Sequence, residues 1–113
     1  MSRPTRMEQR RLKLQAELEE ILGSDRVYFQ PPSSIHLSYP CIVYSYDDIN
    51  IEFADGVEYL ERDKYTITVI SKDPLPDEIL TAIDSMDYTF FDRHYTNDNL
   101  HHFSYTRHLL ERA

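Results

Sequence analysis

The residue types best suited to chemistry crowd the last quarter of the chain. Four of the five histidines lie there: His94, His101, His102 and His108. Asp92-Arg93-His94-Tyr95 is the densest polar cluster in the sequence. An aspartate and a histidine two residues apart on a strand share a face, so a carboxylate there would orient an imidazole as a general base. Ser71 and Ser104, on other predicted strands, would supply the hydroxyl of a nucleophilic triad. Yet no Gly-x-Ser-x-Gly occurs, and 2 glycines in the whole chain leave no nucleophile elbow. The expectation is therefore a hydrogen-bonded, ion-paired surface and no catalytic residue: the chain is not expected to be an enzyme.

The same histidines suggest a metal. A zinc site needs three or four ligands converging at fixed distances, and no His-x-x-x-His helix spacing or cysteine partner supports one. On paired strands His94 and His108 are predicted to approach each other, with His101 and His102 on opposite faces. The acids Asp47, Asp48, Glu52, Asp55, Glu58 and Glu61 do not follow the EF-hand order, so they read as a solvated acidic segment. No metal and no cofactor is expected. Cys41, the single cysteine, sits in the apolar run Tyr-Pro-Cys-Ile-Val-Tyr and reads as a buried, inert thiol. A lone cysteine excludes an intramolecular disulfide and fits a reducing compartment.

These residues must be positioned by a small set of elements. Thr5 and Glu8 have the spacing of a capping box, and Met7, Arg11, Leu14, Leu18, Ile21 and Leu22 form a helical stripe that Gly23 ends. Glu17, Glu19 and Glu20 are predicted to face away. Arg26–Phe29 is a short β-prone run before Pro31-Pro32, and Pro40 opens a strand over 41–46 that reads as buried on both faces. Residues 47–63 hold seven carboxylates and one base around the turn signal Asp55-Gly56, and are predicted to project as a hairpin or long loop outside the core. Residues 64–71 alternate as a strand. Asp77 is placed as the cap of a second helix through Met86, with Ile79, Leu80, Ile83 and Met86 on its buried face. Two antiparallel strands, 88–95 and 100–109, then flank a compact polar turn. The predicted class is α+β, one domain over 1–113, with about five strands flanked by two helices in the order α-β-β-hairpin-β-α-β-β.

At 113 residues the chain has room for one core. Its net charge of −8 argues against coating nucleic acid or a membrane surface, and no apolar run approaches the roughly 20 residues of a membrane span. The strand aromatics Tyr28, Phe29, Tyr44, Tyr46, Tyr65, Phe90, Phe91, Tyr95, Phe103 and Tyr105 lack the basic groove of a base-stacking platform, and read as core and subunit contacts. Charge is segregated, however. Arg3, Arg6, Arg10, Arg11 and Lys13 crowd the start of the first helix and Glu17, Glu19 and Glu20 its end, the reverse of what its macrodipole prefers. The acids of 47–63 form the opposite pole. On identical subunits, such a pair of unlike surfaces favours head-to-tail contact, and closed rotation gives a ring.

Ordered along the chain, several runs resemble a known group. Leu18-Glu19-Glu20-Ile21-Leu22-Gly23-Ser24, Val27-Tyr28-Phe29-Gln30-Pro31-Pro32 and Tyr39-Pro40-Cys41-Ile42-Val43-Tyr44 are three of them. Tyr65-Thr66-Ile67-Thr68-Val69-Ile70 with Lys72-Asp73-Pro74, and Phe91-Asp92-Arg93-His94-Tyr95 before Asp98-Asn99-Leu100, complete the set. Together, over roughly residues 10–107, they resemble small neck proteins of long-tailed bacteriophages, the tail completion or tail terminator proteins akin in fold to the tail terminator of phage lambda. The resemblance implies a virion protein assembled in the host cytoplasm. It implies a ring of typically six subunits that caps the tail tube, ends its polymerisation and offers its other face to the head-side connector, with genomic DNA only passing through. On that reading the contact residues are Arg6, Arg10 and Arg11, then Asp47, Asp48, Glu52 and Asp55, with Asp92, Arg93 and His94 either at an interface or in a structural cluster. The alternative is a small monomeric or dimeric adaptor or inhibitor that binds one host or phage protein.

Overall fold

The computed structural model describes residues 5–54 and 58–112, and the side chains of 5–47 and 62–110. The first helix, α1 (Arg6–Leu22), begins where the sequence places its cap. The Thr5 hydroxyl accepts the Glu8 N–H at 3.1 Å, and the Glu8 carboxylate accepts the Thr5 N–H at 3.0 Å. At the other end Gly23 takes a left-handed φ of 74°, and its N–H donates to the Glu19 carbonyl. Glycine reaches that conformation without the Cβ clash of other residues.

Five strands follow, interrupted by one short helix: β1 (Val27–Phe29), β2 (Cys41–Ala54), β3 (Glu58–Ser71), α2 (Asp77–Asp84), β4 (Thr89–Asn97) and β5 (Leu100–Arg112). They form one mixed sheet in the order β1-β2-β3-β5-β4. β1 runs parallel to β2, and every other pair is antiparallel. The architecture is α+β, with the predicted order of elements.

Register fixes which side chains face the helices. Tyr44 pairs with Ile67 and Ile67 with Tyr105, while Ile42 pairs with Val69 and Val69 with Phe103. Alternation then puts all six on one face. There they close over Leu14 and Leu18 from α1 and Ile83 from α2. Burying each such side chain contributes roughly 1.5–3 kcal/mol. The rings of Phe29, Tyr44, Tyr46 and Tyr65 meet at tilted or edge geometries, with centroids 5.1–6.5 Å apart. The aromatics of the central strands are thus core, as expected.

Three local expectations are corrected. α2 has Pro76 at its N-cap with no side-chain cap bond, and Asp77 is its first helical residue; a carboxylate there still sits well against the positive end of the helix. The strand opening at Cys41 does not stop at Tyr46 but continues to Ala54, because β3 pairs with it residue by residue past a bulge at Tyr46/Asp48. Finally, the acidic stretch is not wholly outside the core: Asp63 is fully buried. The turn signal Asp55-Gly56 lies outside the described residues.

Candidate functional site

The basic start of α1 divides into three fates. Arg6 is exposed. Arg10 turns inward, and its Nε and Nη2 donate to the two carboxylate oxygens of Asp63 at 2.6 and 3.1 Å. Their side chains are 9% and 0% exposed. A two-point pair of this kind fixes the helix over the centre of the sheet. Arg10 was expected among solvated contact residues; the structure puts it inside the fold. The stripe drawn from apolar spacing used Met7 and Arg11, whereas Arg10, Leu14 and Leu18 are the buried set, and Met7 is exposed.

Arg11 lies between these extremes. Its guanidinium sits 4.6 Å from the centre of the Phe29 ring, and Nη1 donates to the Tyr44 hydroxyl at 3.2 Å. Tyr44 in turn donates to Gln15 Oε1, and Gln15 Nε2 donates to the Val27 carbonyl. Burial holds the Tyr44 phenol above its usual range, against the opposing pull of Arg11. Met7, Glu8, Arg11, Leu12, Phe29, Gln30, Tyr46 and Tyr65 line an open groove of about 470 Å³ beside this helix. The groove sets one cation, Arg11, and one anion, Glu8, around an aromatic floor, a mixed lining that suits a segment carrying both polar and apolar residues.

On the acidic side, Asp47 is exposed and accepts a hydrogen bond from the Thr66 hydroxyl. Asp48 and Glu52 lie on β2, opposite Lys64 and Leu60 in register; their side chains, like the whole of Asp55, fall outside the described residues. Sequence spacing had turned Glu17 away from the fold, but its carboxylate lies 3.7 Å from Arg107 Nη2 on β5. Burial lowers the Arg107 pKa, and Glu17 opposes that shift.

The late polar cluster is rearranged by one backbone feature. β4 pairs Phe91 with Tyr105 and then Arg93 with Ser104, so Asp92 is an extra residue in a bulge. The two-residue alternation that would align Asp92 with His94 is broken there. Asp92 instead lies 4.0 Å from Arg93, both largely exposed. His94 pairs with Phe103 and stacks on its ring at 4.6 Å, which puts His94 and Ser104 on opposite faces. The Ser104 hydroxyl is 3.5 Å from that of Thr68, and Ser71 accepts from the Asp73 N–H. The conceivable triad is not assembled. His94 also meets His101, not His108. His108 packs edge-on to Phe90, with its pKa lowered by burial and by Arg62 and Lys64.

No family model matches the chain, and no curated protein does. Among solved structures, a chain described as "Virion of native gene transfer agent (GTA) particle" aligns over 91% of this chain and 90% of its own, with 13% identity and a TM-score of 0.39. A likeness of that size assigns neither family nor function.

What the surface offers is contact chemistry. β4 is an edge strand, and every residue after Thr89 is exposed, Phe90, Phe91 and Tyr95 included. Phe90 and Tyr95 pair with Thr106 and His102 on one face, and Phe91 with Tyr105 on the other, so exposed rings flank both sides of an open strand edge. Spacing placed these rings on a strand; that the strand is an edge depends on sheet order, which spacing does not carry. Asp63 escaped notice as a pairing residue because its partner lies 53 positions away. Among the described residues no three histidine, cysteine or carboxylate side chains converge, and no helix is long and apolar enough to cross a membrane.

Proposed function

We propose that this chain is a structural protein of a bacteriophage neck. It forms a ring, six subunits on the family pattern, that caps the tail tube, ends tube polymerisation and presents an interface for head-tail joining. The observation that carries the reading is the pairing of unlike surfaces. The groove beside α1 offers Arg11 over an apolar floor, with the exposed Arg6 on the same helix. The hairpin arm alternates polar and apolar residues in Asp-Ile-Asn-Ile-Glu-Phe, two of them carboxylates, after a further acid at Asp47. A surface that matches another part of the same chain, and not itself, produces head-to-tail contacts, and a ring where the rotation between neighbours closes. The neighbouring contacts are individually weak, and the ring gains strength through avidity on the tube end.

No bond is made or broken in this mechanism. Arg6 and Arg11 meet the acidic arm of the next subunit, while Arg10 acts only by holding α1 to β3. The exposed rings of β4 supply apolar contact to tube or connector. Contacts of this kind weaken as salt screens them, with a Debye length of about 8 Å at physiological ionic strength.

The decisive experiment is electron microscopy of particles made without this gene. Overlong, headless tails are expected; filled, tailless heads beside normal tails would move the chain to the joining step. Intact infective particles would overturn the reading in favour of a monomeric adaptor. The charge contact is tested separately by complementing with Arg6→Glu/Arg11→Glu, expected to restore few capped tails although the purified variant folds. Full complementation would remove the basic end from the interface.

A further inference from the structure

β4 has nearly the same chemistry read in either direction. It runs Thr89-Phe90-Phe91-Asp92-Arg93-His94-Tyr95-Thr96. From the centre outward, Asp92 matches Arg93, Phe91 matches His94, Phe90 matches Tyr95 and Thr89 matches Thr96. Each match joins two unlike charges, two rings or two hydroxyls. The bulge brings this order into line with the sheet. Because Asp92 has no partner on β5, Phe91 and His94 stand one step either side of Ser104, at Tyr105 and Phe103. Phe90 and Tyr95 stand two steps away, at Thr106 and His102. Alternation along β5 then keeps Phe91 and His94 on one face and Phe90 and Tyr95 on the other.

The backbone edge has the same symmetry. Just before the strand, the His108 N–H donates to the Tyr88 carbonyl at 2.9 Å. Bonded and unbonded pairs alternate along an antiparallel ladder, so positions opposite odd-numbered β5 residues turn their peptide groups away from β5. On β4 these are Thr89 and Phe91 before the bulge, and His94 and Thr96 after it. A second β4 laid antiparallel, with Phe91 opposite His94, sets outward-turned groups against outward-turned groups at all four positions.

We propose that β4 is the two-fold contact of a homodimer, in which the β4 strands of two copies pair antiparallel and join their sheets edge to edge. Asp92 of each copy then faces Arg93 of the other. Charge fixes this register. A slip of one residue either way puts Arg93 opposite Arg93 or Asp92 opposite Asp92, and like charges directly opposite destabilise a strand pair. The charges that deter an arbitrary strand from the edge thus admit this one. The nine residues of β4 are fewer than the roughly 20–30 a side of a stable interface. The pair is accordingly weak, monomeric at low micromolar concentration and dimeric toward millimolar. An isologous contact closes on itself at two copies, so it belongs to the unassembled chain and is independent of the proposed ring.

The test is sedimentation equilibrium of the full chain from low micromolar to millimolar concentration, and a monomer–dimer equilibrium is expected. Arg93→Asp and Asp92→Arg each lower the association constant tenfold or more, because each sets like charges across the two-fold. Both positions are exposed, and circular dichroism checks that each variant folds. Mixed one to one, the two variants recover association as a heterodimer, and the double swap Asp92→Arg/Arg93→Asp recovers it alone. Arg6→Glu/Arg11→Glu, which targets the ring contact, leaves the dimer unchanged; loss of the dimer in that variant would place the contact on α1 and overturn the pairing. A chain still monomeric at millimolar concentration would overturn it too. So would single variants that associate as tightly as the native chain, or a mixture that fails to rescue them.

Discussion

Two arginine–aspartate pairs occupy opposite settings in this sheet. Arg10 and Asp63 meet over β3, the central strand, with side chains 9% and 0% exposed. Asp92 and Arg93 are neighbours in sequence on the edge strand β4, 4.0 Å apart, with side chains 58% and 72% exposed. Sequence alone misplaces only the first. Arg10 sits in a basic run that looks solvated, while Asp92-Arg93 lies in a dense cluster that reads as an ion-paired surface, as the structure has it. What separates them is water. A charge that has lost its hydration depends on its partner, whereas an exposed charge is nearly indifferent to one.

The largest expected effect breaks the buried pair. Arg10→Ala leaves the Asp63 carboxylate buried without its partner, and loss of about 3–5 kcal/mol is expected in urea unfolding at neutral pH. Replacing both, as Arg10→Met with Asp63→Leu, removes the charge that needed compensation and should recover most of that loss. A cost for Arg10→Ala no larger than that of a surface substitution would erase the contrast between the two pairs.

An intermediate effect sharpens the contrast from a neighbouring ring. Burial, reinforced by the charge of Asp63, pushes the Tyr65 phenol up to about 12. The unfolded chain releases that proton near pH 10. Between these values the folded state holds a proton that the unfolded state has lost, so stability is full below pH 10 and falls as pH rises toward 12. Unfolding midpoints measured across this window should decline, and Tyr65→Phe should decline less steeply. An unchanged slope in that variant would mean that Tyr65 does not govern the alkaline limb.

Local signals carried most of the elements. Thr5 and Glu8 bracket the start of α1 and Gly23 its end, because caps are read within one turn of chain. Pro40 precedes β2, and the polar turn between β4 and β5 sits where the sequence puts it. The α+β class and element order followed from these. Information that depends on distant partners did not come through. Nothing in Val27–Phe29 says that it pairs parallel to β2. Nothing near Asp63 points to α1, or turns Arg10 inward in place of Met7. The bulge at Asp92 is equally silent, since it arises from how β4 registers against β5. For the same reason, the diagonal meeting of His94 with His101 replaced the expected approach to His108.

The smallest expected effect lies at the edge pair. Asp92→Ala should change stability by less than about 1 kcal/mol, as exposed ion pairs do. Arg93→Ala should cost slightly more, because its guanidinium also lies over the Tyr95 ring, 5.3 Å from the centre. A double-mutant cycle between Asp92 and Arg93 isolates their coupling from that ring contact. Coupling should stay within a few tenths of a kcal/mol in the isolated chain and shrink further in high salt. Repeated on assembled particles, the same cycle separates two roles for the cluster. If Asp92 and Arg93 meet a neighbour, assembly is lost while folding is not, because a charge pair that is nearly neutral in water becomes costly to break once a partner has excluded the water around it.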